Sequence, residues 1–99
     1  MRLEWSQASL RELDAIRIYI AERNPTTAER IKNRIVSATE LLARRPFIGR
    51  IGRIDGTREF VFTDVPYIAV YDIDETREQL TILHVFHTAQ LYPPKPPES

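Results

Sequence analysis

At 99 residues, with 14 Lys and Arg against 14 Asp and Glu, the chain has room for one domain with a small core, which excludes multi-domain enzyme architectures. A hydrophobic content of 42% with 28% charged residues is that of a soluble globular domain, and no apolar run approaches the ~20 residues needed to cross a bilayer. Zero net charge argues against binding nucleic acid by bulk positive potential, and the absence of cysteine removes disulfides, thiol chemistry and cysteine-based zinc sites, as expected of a cytoplasmic protein.

The opening MRLEWSQAS lacks the apolar core of a secretion signal. Leu3 and Trp5 alternate with Arg2 and Glu4, which predicts a short first strand. Ser6 or Ser9 can cap the helix that follows, and Ser9 has Glu12 three residues on, a capping-box spacing. Leu10, Leu13, Ile16 and Ile20 recur at intervals of three and four and form an apolar stripe up to the break at Asn24-Pro25. Thr26 and Glu29 repeat the capping pattern before a second stripe of Ala28, Ile31, Ile35, Ala38 and Leu42. Two amphipathic helices with so short a connection are expected to lie antiparallel and to pack together on a sheet.

Pro46 ends the second helix, and the segment to Gly56 contains all three glycines, which predicts a loop. Arg44, Arg45, Arg50, Arg53 and Arg58 gather around it, opposed by Asp55 and Glu59. Such a cluster suits phosphates or an acidic partner; a solvated loop after an arginine-rich helix end gives the same pattern, because the helix dipole favours cations there. From Thr57 the period becomes two. Arg58, Phe60 and Phe62 share one face of a strand, and Tyr67, Ala69, Tyr71 and Ile73 share one face of the next, with Ile68 and Val70 opposite. With both faces apolar, the helices cover one and a partner protein is a candidate for the other. The run from Leu80 to Phe86 closes an antiparallel meander, and the prolines from Pro93 predict a stiff, extended tail over 93–99 after a single domain over 1–92. The expected fold is therefore α+β, ordered β-α-α-β-β-β, with two antiparallel helices on one face of a mainly antiparallel sheet.

His84 and His87, the two histidines, fall on opposite faces of an extended strand and make no natural metal pair, so neither a metal nor a cofactor is expected. His84 alternates with Ile82 and Phe86, the pattern of a histidine satisfied in or beside the core. His87 lies where the strand runs out; an imidazole there could move a proton in phosphodiester cleavage, with Arg58 stabilising the developing charge. Tyr67, Tyr71 and Tyr92 can be core residues with surface hydroxyls or can stack on bases. No phosphate-binding glycine loop, nucleophilic serine elbow or dinucleotide fingerprint is present.

Taken together, the run from Trp5 to Ile16, the ERNP break at Glu22 to Pro25, RRPFIGR from Arg44, GTREFVF, PYIAVYDI and ILHVFHTAQLYP resemble, in order and separation, the RelE/ParE superfamily of toxins from bacterial type II toxin-antitoxin modules. The resemblance covers roughly Leu3 to Pro93. It implies a cytoplasmic toxin held inactive, in a hetero-oligomer, by a cognate antitoxin encoded by a neighbouring gene. RelE-like members cut messenger RNA on the ribosome without a metal, and ParE-like members poison DNA gyrase. By position, His87 and Arg58 match basic residues of the RNA-cutting branch, with Arg50, Arg53, Tyr67, Tyr71, Gln90 and Tyr92 as contacts to the target or to RNA, and Leu13, Ile16, Ile20, Ile31 and Ile35 as the antitoxin-binding stripe. Where RNA-cutting members commonly carry arginine in a YRLVY strand motif, this chain has Ile68 in YIAVY. That departure ranks a ParE-like gyrase poison first, a ribosome-dependent endoribonuclease second, and a degenerate toxin that only binds antitoxin third.

Overall fold

In the computed structural model, which describes residues 1–90, Ser6 separates strand β1 (Arg2–Trp5) from helix α1 (Gln7–Ala21) and caps the helix, its Oγ accepting from the Ser9 amide at 3.0 Å. Ser9 is no cap. It lies inside the first turn, fully buried, with its own Oγ 2.8 Å from the Ser6 carbonyl and 2.9 Å from that of Ile82, so the expected Ser9–Glu12 capping box does not form. Helix α2 (Pro25–Arg44) is capped by Asn24, whose Oδ1 accepts from the Thr27 amide at 3.1 Å, rather than by Thr26. Pro25 takes the first helical position, where its missing N–H leaves nothing unsatisfied.

A single 3₁₀ turn (Pro46–Ile48) leads to β2 (Arg50–Ile51), a two-residue strand inside the stretch expected to be all loop. It is followed by β3 (Arg58–Val61), β4 (Tyr67–Asp74) and β5 (Gln79–His87). The sheet order is β1-β5-β4-β3-β2, with β1 parallel to β5 and every other pair antiparallel. The two helices pack on one face, as the element order predicts, and no helix among the described residues is long and apolar enough to cross a membrane.

The main core joins Leu13, Ile35, Ala38 and Leu42 of the helices to Tyr67, Ala69, Tyr71, Leu80, Ile82 and Val85 of the sheet. Burying each large aliphatic side chain there contributes about 1.5–3 kcal/mol. Ile68, Val70 and Phe86 form a smaller cluster on the opposite face. The register explains how β5 serves both faces. Val70 pairs with His84 but Tyr71 pairs with Ile82, so Leu83 is an extra residue and the strand bulges. The bulge breaks the expected Ile82–His84–Phe86 face: Ile82 stays under the helices, His84 and Phe86 face away, and Val85 and His87 turn to the helix side opposite Ala69 and Tyr67.

Candidate recognition site

β1 ends at Trp5, opposite Ile82, while β5 continues to His87, so the outer edge of the last residues of β5 is left to α1. The helix closes it with side chains. Ser6 Oγ lies 3.0 Å from the Leu83 carbonyl, and Glu12 accepts from the Val85 amide at 3.1 Å while its second oxygen sits 3.2 Å from His84 Nδ1. Beyond Glu12 the helix and strand diverge into a groove of about 480 Å³, with Ile16, Tyr19 and Val85 on its apolar walls and Glu12, His87 and Gln90 as its polar rim.

His87 is held from three sides. Its amide donates to Gln90 Oε1 at 2.7 Å, its carbonyl accepts from the Gln90 amide at 2.9 Å, and its ring meets that of Tyr67 edge-on with centroids 5.3 Å apart. Nδ1 accepts from the Ala89 amide at 3.0 Å, which places the proton of the neutral imidazole on Nε2. In that tautomer His87 offers a donor to the groove, not a base. Gln90, expected to touch a target, thus serves to cap the turn after β5, and Tyr67 is 6% exposed, with burial pushing its hydroxyl pKa up.

Arg58 belongs to a different place. It pairs with Tyr71, whereas His87 pairs with Tyr67 on the other side of β4, so the two are separated by about 13 Å along the strands and about 10 Å across them. The Arg58 guanidinium donates to the Gly49 carbonyl at 2.7 Å and lies 5.0 Å over the Phe47 ring. Tyr71, a second expected contact residue, is fully buried: its hydroxyl donates to the Pro46 carbonyl at 2.6 Å and accepts from the Gly49 amide at 3.0 Å. A side chain with both hydrogen bonds and its ring inside the core cannot stack on a base, so Tyr71 leaves the contact set.

On the opposite face of β3, Glu59 has no exposed side-chain surface and gathers Arg50 and Arg53. Arg50 Nη2 donates to its Oε1 at 2.8 Å, the Arg53 amide donates to Oε2 at 3.0 Å, and Arg53 Nη2 donates to Oε1 at 3.2 Å. Burial alone would raise the Glu59 pKa; the hydrogen bonds from Arg53 and Arg50 outweigh it and hold the carboxyl at about 2. The two arginines expected as target contacts therefore share one carboxylate, which offsets one of their two charges, with Arg53 also lying 5.8 Å over the Phe86 ring.

Of the stripe expected to bind antitoxin, Leu13 and Ile35 are core residues, 8% and 0% exposed, because the stripe is what attaches the helices to the sheet. Ile16, Ile20 and Ile31 are half-buried, and Ile16 lines the groove. Tyr92 and the proline-rich tail lie outside the described residues. Glu12, Tyr19 and Glu59 were not among the site residues expected from the sequence. Glu59 carried a signal all the same, as one of two acids among five arginines on a strand whose other face is aromatic. Among the described residues no three His, Cys, Asp or Glu side chains converge as a metal site requires.

This arrangement, two helices on one face of a mostly antiparallel five-stranded sheet, is the fold of solved ParE and RelE toxin chains. The chain superposes with a TM-score of 0.76 on a chain of the chromosomal ParDE system from P. aeruginosa, at 23% identity over 88% of this chain and 95% of that one. It superposes with a TM-score of 0.62 on a chain of the RelBE2 toxin-antitoxin complex from Mycobacterium tuberculosis, at 23% identity over 87% and 95%, and with 0.58 on isolated E. coli RelE, at 14% identity over 92% and 87%. In sequence it is 45% identical over 83 residues to the Y4kP protein of Sinorhizobium fredii, covering 84% of this chain and 86% of that protein. The family described as "ParE toxin of type II toxin-antitoxin system, parDE" matches residues 3–92, and the chain belongs to it.

Proposed function

We propose that the chain arrests growth by binding a protein target, DNA gyrase, through its surface, and is silenced by a cognate antitoxin from a neighbouring gene. The observation that carries this reading is the separation of the two groups an RNA-cutting mechanism would need together. His87 and Arg58 pair with β4 on opposite sides and four residues apart, at Tyr67 and Tyr71, and each side chain is bonded to nearby backbone, His87 to Ala89 and Arg58 to Gly49. A proton-transferring imidazole and a charge-stabilising guanidinium must both reach one phosphodiester at hydrogen-bond distance, about 3 Å from each group. A recognition surface has no such requirement. The groove between α1 and β5 supports the antitoxin part of the reading: it is apolar at its walls, and Tyr19 on its rim is 64% exposed.

Inducing the chain alone in a bacterium tests both parts. Filamentation with broken chromosomal DNA, relieved by co-expression of the neighbour-encoded protein, is the expected outcome. Immediate arrest of methionine incorporation with cleaved transcripts would overturn it in favour of ribosome-dependent RNA cleavage, and undisturbed growth would overturn it in favour of a degenerate, antitoxin-binding chain.

A further inference from the structure

The connector from Pro46 to Gly56 is built inside out. Its polar groups point inward, to Tyr71, Glu59 and Arg58, while its apolar side chains point to solvent. Of the nine exposed large apolar side chains among the described residues, five lie between Phe47 and Val61, and Ile51 on the edge strand β2 is 79% exposed. They lie on both sides of β2: Phe47 and Ile51 border a crevice of about 290 Å³, and Ile48 and Val61 border a second of about 260 Å³ that Arg50 and Glu59 also line. Leaving such residues in water costs stability, and holding the segment rigid costs conformational entropy as well. Three anchors nevertheless hold it, which is how a docking surface is preorganised.

We propose that this strip, centred on Phe47, Ile48 and Ile51, is the surface that docks on the toxin's protein target, at a face of that target carrying acidic side chains among apolar ones. The inference rests on the growth-arrest reading above and adds which residues make the contact. Charge selects the occupant. Arg44 and Arg45 stand exposed at the end of α2, and Arg50 flanks Ile51 with its side chain 56% exposed. A second copy of the chain paired along β2 would set these arginines against one another, which disfavours self-association. Nucleic acid is disfavoured because Glu59 offsets one of the two charges of Arg50 and Arg53, Asp55 borders the crevice beside Ile51, and large apolar side chains occupy the surface between these charges. The antitoxin groove lies beside the end of β5, three strands from β2 across the sheet, so the two surfaces are separate.

Purified wild-type chain, Ile51→Asp and Ile51→Lys are compared for inhibition of purified DNA gyrase, with co-purification of the neighbour-encoded antitoxin and the melting temperature measured on the same samples. Ile51 is 79% exposed, so all three are expected to fold and to bind antitoxin alike. Ile51→Asp is expected to weaken inhibition about tenfold or more and Ile51→Lys less, since lysine removes the apolar contact but keeps the favourable charge. Inhibition by Ile51→Asp equal to wild type overturns the docking surface alone. A Lys variant as weak as the Asp variant overturns the acidic partner, and loss of antitoxin binding by both reassigns the strip to the antitoxin. If Arg44→Gln with Arg45→Gln abolishes inhibition while the Ile51 variants retain it, the contact is to phosphate. A wild-type chain that leaves gyrase untouched removes the functional reading, and the inference falls with it.

Discussion

The two long edges of the sheet are finished in opposite ways. At the β5 edge, three α1-side residues spaced by three, Ser6, Ser9 and Glu12, turn polar atoms onto the strand carbonyls and amides that β1 leaves uncovered. At the β2 edge the polar atoms are drawn under the connector by Glu59 and Tyr71, and isoleucines face the solvent. The first edge is closed against further strand pairing by local side chains. The second is held from beneath by hydrogen bonds and leaves its isoleucines exposed above, as the proposed docking requires. The contrast teaches that internal hydrogen bonding can specify a binding surface whose own residues make few internal contacts.

The largest test of this contrast is at Glu59. Replacing it with Ala leaves the Arg53 amide without its acceptor and Arg50 and Arg53 without their shared carboxylate, and is expected to lower unfolding free energy in urea by about 3 kcal/mol. The same group predicts an acid limb. Its folded-state pKa, about 2, lies below its ordinary value of 4.5, so its contribution is complete above pH 4.5 and is lost as pH falls toward 2. Glu59→Gln removes that part of the slope in a stability-versus-pH series.

Next in size is Gly49→Ala. An added Cβ would collide with Tyr71 Oη and lie 2.9 Å from the Glu59 carbonyl, both inside the anchored region, so about 2 kcal/mol of destabilisation is expected by thermal or urea unfolding. Tyr71→Phe keeps the ring and removes one hydroxyl that serves both Pro46 and Gly49, for about 1.5 kcal/mol. At the other edge Ser9→Ala frees the Ile82 carbonyl of one bond, for about 1 kcal/mol, and should leave the connector's protection in amide hydrogen exchange unchanged. Equal loss of protection at both edges would show that the two are not independent.

The order of elements and the helix stripes were legible because each depends on a local period, 3.6 or 2, and on breaks at Asn24-Pro25 and Pro46. The caps were legible in kind but not in place, since several Ser, Thr and Asn residues compete and the choice falls to whichever also serves a neighbour, as Ser6 does for Leu83. The faces of β5 were not legible. One inserted residue, Leu83, exchanges the two sides, and nothing in the residue types of ILHVF marks it. The candidate site suffered most from exclusive choices of partner: Arg50 and Arg53, read as free charge, share the Glu59 carboxylate, and Tyr71, read as a stacking residue, is spent on the connector. Those pairings join Arg50 and Glu59 across strands, and Tyr71 and Gly49 from positions 22 apart, which no periodicity reports.

The central claim is that growth arrest needs a surface and not an acid-base pair. Induced expression of His87→Ala, scored by colony counts against wild type at matched protein level, tests it most directly. The account predicts killing within about twofold of wild type, with filamentation intact, because His87 faces a groove remote from the β2 strip. Loss of killing together with loss of transcript cleavage, in a variant that still melts with wild type, would contradict it.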